Sequence, residues 1–138
     1  MYLLRSILYT TLIFLNLFLV LTALPGGFCL LTGIVAPPID ELKGFIFRDY
    51  TIPALALMII VGGSALLAAI MLMRINKIAL LLSASVGLIL MIFEFVEVLA
   101  IGLPAGAGLV MQLIYFVLGV AMVKCAVVVL YLDLQMTK

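Results

Sequence analysis

Histidine and tryptophan are missing from this 138-residue chain, and charge is scarce: seven Lys plus Arg and six Asp plus Glu leave a formal net charge of +1. Each shortage excludes something. Without histidine the usual haem and zinc ligands are gone, so no haem, no metal and no other cofactor is expected. Without a basic surface there is nothing to meet phosphates, and nucleic acid is not an expected partner. Only 9% of the residues are charged and 69% are hydrophobic, against roughly a quarter charged in an ordinary soluble domain, which excludes a water-soluble globule. Cys29 and Cys125 lack the C-x-x-C spacing of a thiol-redox enzyme. They fall at opposite ends of the expected helices, too far apart to bridge.

What the chain has instead is long apolar runs. A membrane-spanning helix needs about 20 apolar residues, and four such helices fit this length. The charges mark the breaks. Residues 6–39 carry none, then Asp40, Glu41, Lys43, Arg48 and Asp49 crowd together, and residues 50–73 are again uncharged. Arg74 and Lys77 form the second break. A third run from Ile78 carries Glu94 and Glu97 before the turn Gly102-Leu103-Pro104-Ala105-Gly106, and a fourth follows. Strands are excluded at these lengths, because an open sheet cannot satisfy its backbone groups in lipid. The expectation is an all-α, polytopic membrane protein: a four-transmembrane-helix bundle forming one domain over 1–138, with helices at about 3–24, 50–73, 78–101 and 107–132.

The first run is too long for one span. Leu24-Pro25-Gly26-Gly27 looks like helix-stop chemistry, so an outer loop is expected over 25–49, with Phe28 to Ile39 lying at the interface or re-entering. The apolar run also exceeds the 7 to 15 residues of a signal-peptide core, and Phe28 stands where a lipobox before Cys29 needs a small residue. The segment is therefore read as a retained helix. Leu103-Pro104-x-Gly106 repeats the spacing of Leu24-Pro25-x-Gly27 and hints at two related hairpins, although Leu-Pro-x-Gly is ordinary stop chemistry too.

Orientation follows from Lys and Arg in the short loops. Arg5, Arg74, Lys77 and Lys138 share one side against Lys43 and Arg48 on the other, which places both termini in the cytoplasm and the chain as a multi-pass protein of the cell membrane. Lys124 is expected to snorkel to the cytoplasmic headgroups.

Candidate site residues emerge from helical spacing. Ser83, Gly87, Leu90, Glu94 and Glu97 share one stripe of the third helix, which should face the bundle interior. Glu94 lies roughly 24 Å along the helix from Ile78 at about 1.5 Å per residue. A mid-membrane carboxylate costs roughly 2.5 to 3.5 kcal/mol on the insertion scale, and apolar side chains return roughly 0.3 to 0.6 kcal/mol each. Fifteen Leu, Ile, Val and Phe between Ile78 and Ile101 insert the helix regardless. Two acids one turn apart cannot cheaply hold two negative charges in a desolvated site, an arrangement suited to a proton carrier or a cation site. Counting down the fourth helix puts Gln112 level with Glu94 and Tyr115 just below. Arg48 is the best-placed cation, within Phe47-Arg48-Asp49-Tyr50-Thr51-Ile52-Pro53, where Asp49 or Thr51 can cap the second helix and Tyr50 can anchor at the headgroups. Glu94, Glu97, Gln112, Tyr115 and Arg48 are the candidate ligand- or cation-binding residues; no catalytic residue and no metal site is expected. Asn16 is expected to make one interhelical hydrogen bond, and Gly62, Gly63, Gly87 and Gly119 to permit close helix approach.

The segment F-x-F-R-D-Y-T-I-P-A-L-A-L-x-x-x-V-G-G at 45–63, with F-E-F-V-E-V at 93–98, resembles small uncharacterised four-helix integral membrane proteins of bacteria and archaea. That resemblance implies the fold and no activity. In size the chain also looks like small multidrug transporters, but the lone glutamate those carry in their first helix is lacking. Two functions stay open: an accessory or ligand-binding subunit with a polar pocket in the outer half, and a small proton- or cation-coupled transporter or channel using Glu94. The expected partner is the lipid bilayer, with a homo-oligomer or a membrane-complex partner open. An enzyme has least support, since no nucleophile with a base is visible.

Overall fold

A computed structural model describes residues 1–76 and 78–137. Among them are four helices long and apolar enough to cross a membrane: α1 (Tyr2–Thr32), α2 (Thr51–Met73), α3 (Ala79–Ile101) and α4 (Ala107–Met136). They run alternately up and down, so residues 33–50 and 102–106 cap one end, the loop end, while the termini and the α2–α3 turn share the other. Each helix packs on its chain neighbour, and α1 also closes against α4. The result is an all-α four-helix bundle.

Helix packing in lipid gains little from the hydrophobic effect and depends on close approach and internal polar contacts. Both are present. Gly87 on α3 and Gly119 on α4 face one another, and Ala65, Ala68 and Ala69 of α2 are fully buried at 0% exposure. In the centre Asn16 Nδ2 donates to Ser83 Oγ at 2.8 Å and to the Leu12 carbonyl at 2.8 Å, tying α1 to α3 across the bundle diagonal. At the terminal end Arg5 grips Asp133 through Nε and through Nη2 at 3.3 Å. The Tyr9 hydroxyl donates to the Leu72 carbonyl at 2.9 Å.

Three features depart from the sequence expectation. First, α1 does not stop at Pro25. It continues for two turns and ends at Gly33, whose φ of 75° supplies the left-handed cap, with its N–H donating to the Leu30 carbonyl at 3.3 Å. Gly27 serves close packing, not termination: a Cβ there would stand 2.9 Å from the Ala54 carbonyl and 2.2 Å from Met58 Cγ. A proline inside a membrane helix is tolerated when neighbouring helices support the bend. The loop is therefore 33–50, with a single 3-10 turn at Ile39–Leu42, and residues 28–32 continue α1.

Second, the hairpin repeat is not structural. Residues 24–27 are helical, whereas 103–106 form a loop between Gly102 and Gly106, both at positive φ. Third, α2 is not uniform, because Ala56–Gly63 is π-helical. Neither Asp49 nor Thr51 caps this helix: its N-cap position is Tyr50, without a side-chain cap, and Asp49 Oδ1 instead accepts the Thr51 N–H at 2.9 Å in a turn two residues wide just ahead of the helix.

Candidate functional site at the loop end

The π turns of α2 pack chiefly on α1 and touch α3 only sparsely near the loop, in contrast to the closer α2–α3 contact nearer the termini. Single π turns inside helices recur at functional sites. Here the gap is a cavity of about 370 Å³. Its walls include Leu57, Ile60 and Val61 from α2 and Ile89, Phe93 and Glu97 from α3, and its roof is Leu42, Phe47 and Tyr50 from the loop segment. Glu97 is the single charged side chain among its lining residues.

Tyr50 lines the cavity roof. It is buried at 8% exposure, and its hydroxyl donates to the Pro38 carbonyl at 3.3 Å. Burial, with Glu41 and Glu97 nearby, pushes its phenol above the usual tyrosine range. Sequence reasoning missed this role, since a tyrosine beside a helix start reads as an interfacial anchor.

Behind Glu97 lies the buried polar layer. Glu94 is 4% exposed and Gln112 is 7% exposed. Glu94 Oε2 and both amide atoms of Gln112 have no hydrogen-bond partner. Gln112 reaches across from α4 toward Glu97, close enough to influence it but short of hydrogen-bond geometry. Buried polar atoms are almost always paired, so this concentration at one level of the bundle is unusual.

Of the five sequence candidates the structure brings three together: Glu94, Glu97 and Gln112. Tyr115 is half-buried and packs its ring on the apolar core. Arg48 is exposed in the loop, does not line the cavity and forms no ion pair with either acid. Among the described residues no group of three or more Cys, Asp or Glu is placed to hold a metal ion.

Comparison with known protein families, curated proteins and solved structures gave no match. The resemblance carried by residues 45–63 and 93–98 thus identifies no family. What fold and composition define is a small multi-pass membrane protein in contact with a lipid bilayer.

Proposed function

We propose that this chain is an accessory or ligand-binding subunit of the cell membrane, with both termini cytoplasmic and a pocket in the outer half that receives a ligand or a partner helix. One observation carries the reading. Glu94 Oε2 and the Gln112 amide are buried without partners immediately behind the residue that lines the cavity. An unmade buried hydrogen bond costs roughly 1 to 3 kcal/mol; neither residue lines the cavity itself, so Glu97 is the group that meets the bound molecule, with the unspent atoms of Glu94 and Gln112 behind it. The proposal narrows the site to Glu94, Glu97 and Gln112, leaving Tyr115 and Arg48 outside it.

Extraction of the full chain in mild detergent, with mass spectrometry of everything retained, tests this. A discrete molecule or partner held by the wild type and lost from the Glu97→Gln, Gln112→Leu double variant is expected. An identical retained set on both proteins would overturn the reading.

A second reading, coupling of proton or cation movement to Glu94, has its own support: Glu94 is the one buried charged side chain among the described residues. In reconstituted vesicles Glu94→Gln should then abolish pH-driven flux. Unchanged flux sinks the coupling role.

A further inference from the structure

We propose that the loop-end cavity binds a lipophilic amine, an apolar molecule bearing one cationic head that pairs with Glu97. The inference rests on the ligand-binding reading above and names the class of ligand. Three observations converge on it. The first is size and polarity: about 370 Å³ lies within the range of roughly 300 to 1,000 Å³ that small-ligand pockets occupy. The walls are almost wholly Leu, Ile, Val, Phe, Pro and Ala, so most of the occupant must be hydrocarbon.

The second is access. Ile60, Ile92 and Val96 line the cavity yet are 54%, 62% and 37% exposed, which places its mouth on the lipid-facing flank between α2 and α3. An occupant comes from the bilayer, not from water. The third is charge. Glu97 lies on the cavity wall and no lysine or arginine is among the lining residues. An anionic head would meet a carboxyl group without a compensating cation, at the cost that attends any unpaired buried charge. A cationic amine supplies the missing partner and donates short, charge-assisted hydrogen bonds to the carboxylate. Gln112, more than nine-tenths buried and turned toward Glu97 with its amide unspent, can hold that carboxylate in place.

Native mass spectrometry of the full chain, titrated separately with dodecylamine, dodecanol and dodecanoate, tests the assignment. One saturable dodecylamine per chain is expected, with the alcohol and the acid at least about tenfold weaker, a difference of ~1.4 kcal/mol. Glu97→Gln should erase the preference for the amine. Ala56→Leu, which fills the cavity without touching the carboxylate, should weaken all three probes and guards against a Glu97 variant that fails to fold. Equal binding of the three probes would overturn the amine and assign the cavity to lipid chains. Absence of all three, with a native molecule still retained by the wild type, would overturn the amine class and leave the pocket reading standing. Absence of any ligand would remove both.

Discussion

Gly87 and Gly119 cross back to back between α3 and α4: the carbonyl oxygen of each stands 2.7 Å from where a Cβ on the other would lie. No side chain fits between them. Gly87→Ala or Gly119→Ala must push α3 and α4 apart where their backbones meet. Overpacking of this kind costs about 1 to 3 kcal/mol, and thermal unfolding in micelles should show it. Gly63→Ala is the control, since its nearest neighbour is 3.9 Å away. There the better helix propensity of alanine, worth up to about 1 kcal/mol, should leave the protein equally or more stable.

The central Asn16–Ser83 hydrogen bond should matter modestly. Ser83→Ala removes the acceptor that Asn16 Nδ2 reaches at 2.8 Å but leaves its bond to the Leu12 carbonyl. Polar contacts between membrane helices average about 0.6 kcal/mol and reach about 1.7 kcal/mol. A loss in that range is expected from unfolding in mild detergent; a larger one would mean that Ser83 also fixes backbone spacing.

Arg5 and Asp133 join the two terminal helices, and their side chains are 33% and 34% exposed. Partial exposure keeps such a pair within about 1 kcal/mol. A double-mutant cycle through Arg5→Gln and Asp133→Asn should give a coupling energy of that size, falling as salt rises. A coupling near zero at low salt would show that the pair does not hold the helix ends together.

Tyr50 makes the loop end sensitive to alkali. Its phenol is held above the usual value of about 10, so its contribution is fully present below the unfolded-state pKa and is lost as pH rises through the folded one. Proteolysis of loop 33–50 should therefore accelerate only in strongly alkaline solution. Tyr50→Phe should suppress that acceleration, at the expense of the hydrogen bond to Pro38 and about 0.5 to 1.5 kcal/mol.

The spans were legible because charges interrupt apolar runs, and runs of that length have one stable form in lipid. Where α1 ends was not legible. Leu24-Pro25-Gly26-Gly27 carries the composition of a stop, and only the neighbouring Ala54 and Met58 show that Gly27 is there for contact. Gln112 was placed beside the acids of α3 by counting helical rise from the 102–106 turn. The Arg5–Asp133 pair was hidden by a separation of 128 residues. The cavity was hidden as well, since it depends on π turns in Ala56–Gly63, a stretch whose side chains are as apolar as any other, and on a folded-over Tyr50.

The central claim is that the loop-end cavity binds a lipophilic amine, and thiol protection at its wall tests that most directly. In a Cys29→Ser background, Ala100→Cys places a reactive group among the lining residues, while native Cys125, half-buried toward the other end of α4, reports on the rest of the protein. Saturating dodecylamine should slow maleimide labelling at position 100 by about tenfold or more and leave Cys125 unchanged, a contrast of at least ~1.4 kcal/mol. Equal labelling at position 100 with and without the amine, or equal slowing at both positions, would contradict the account.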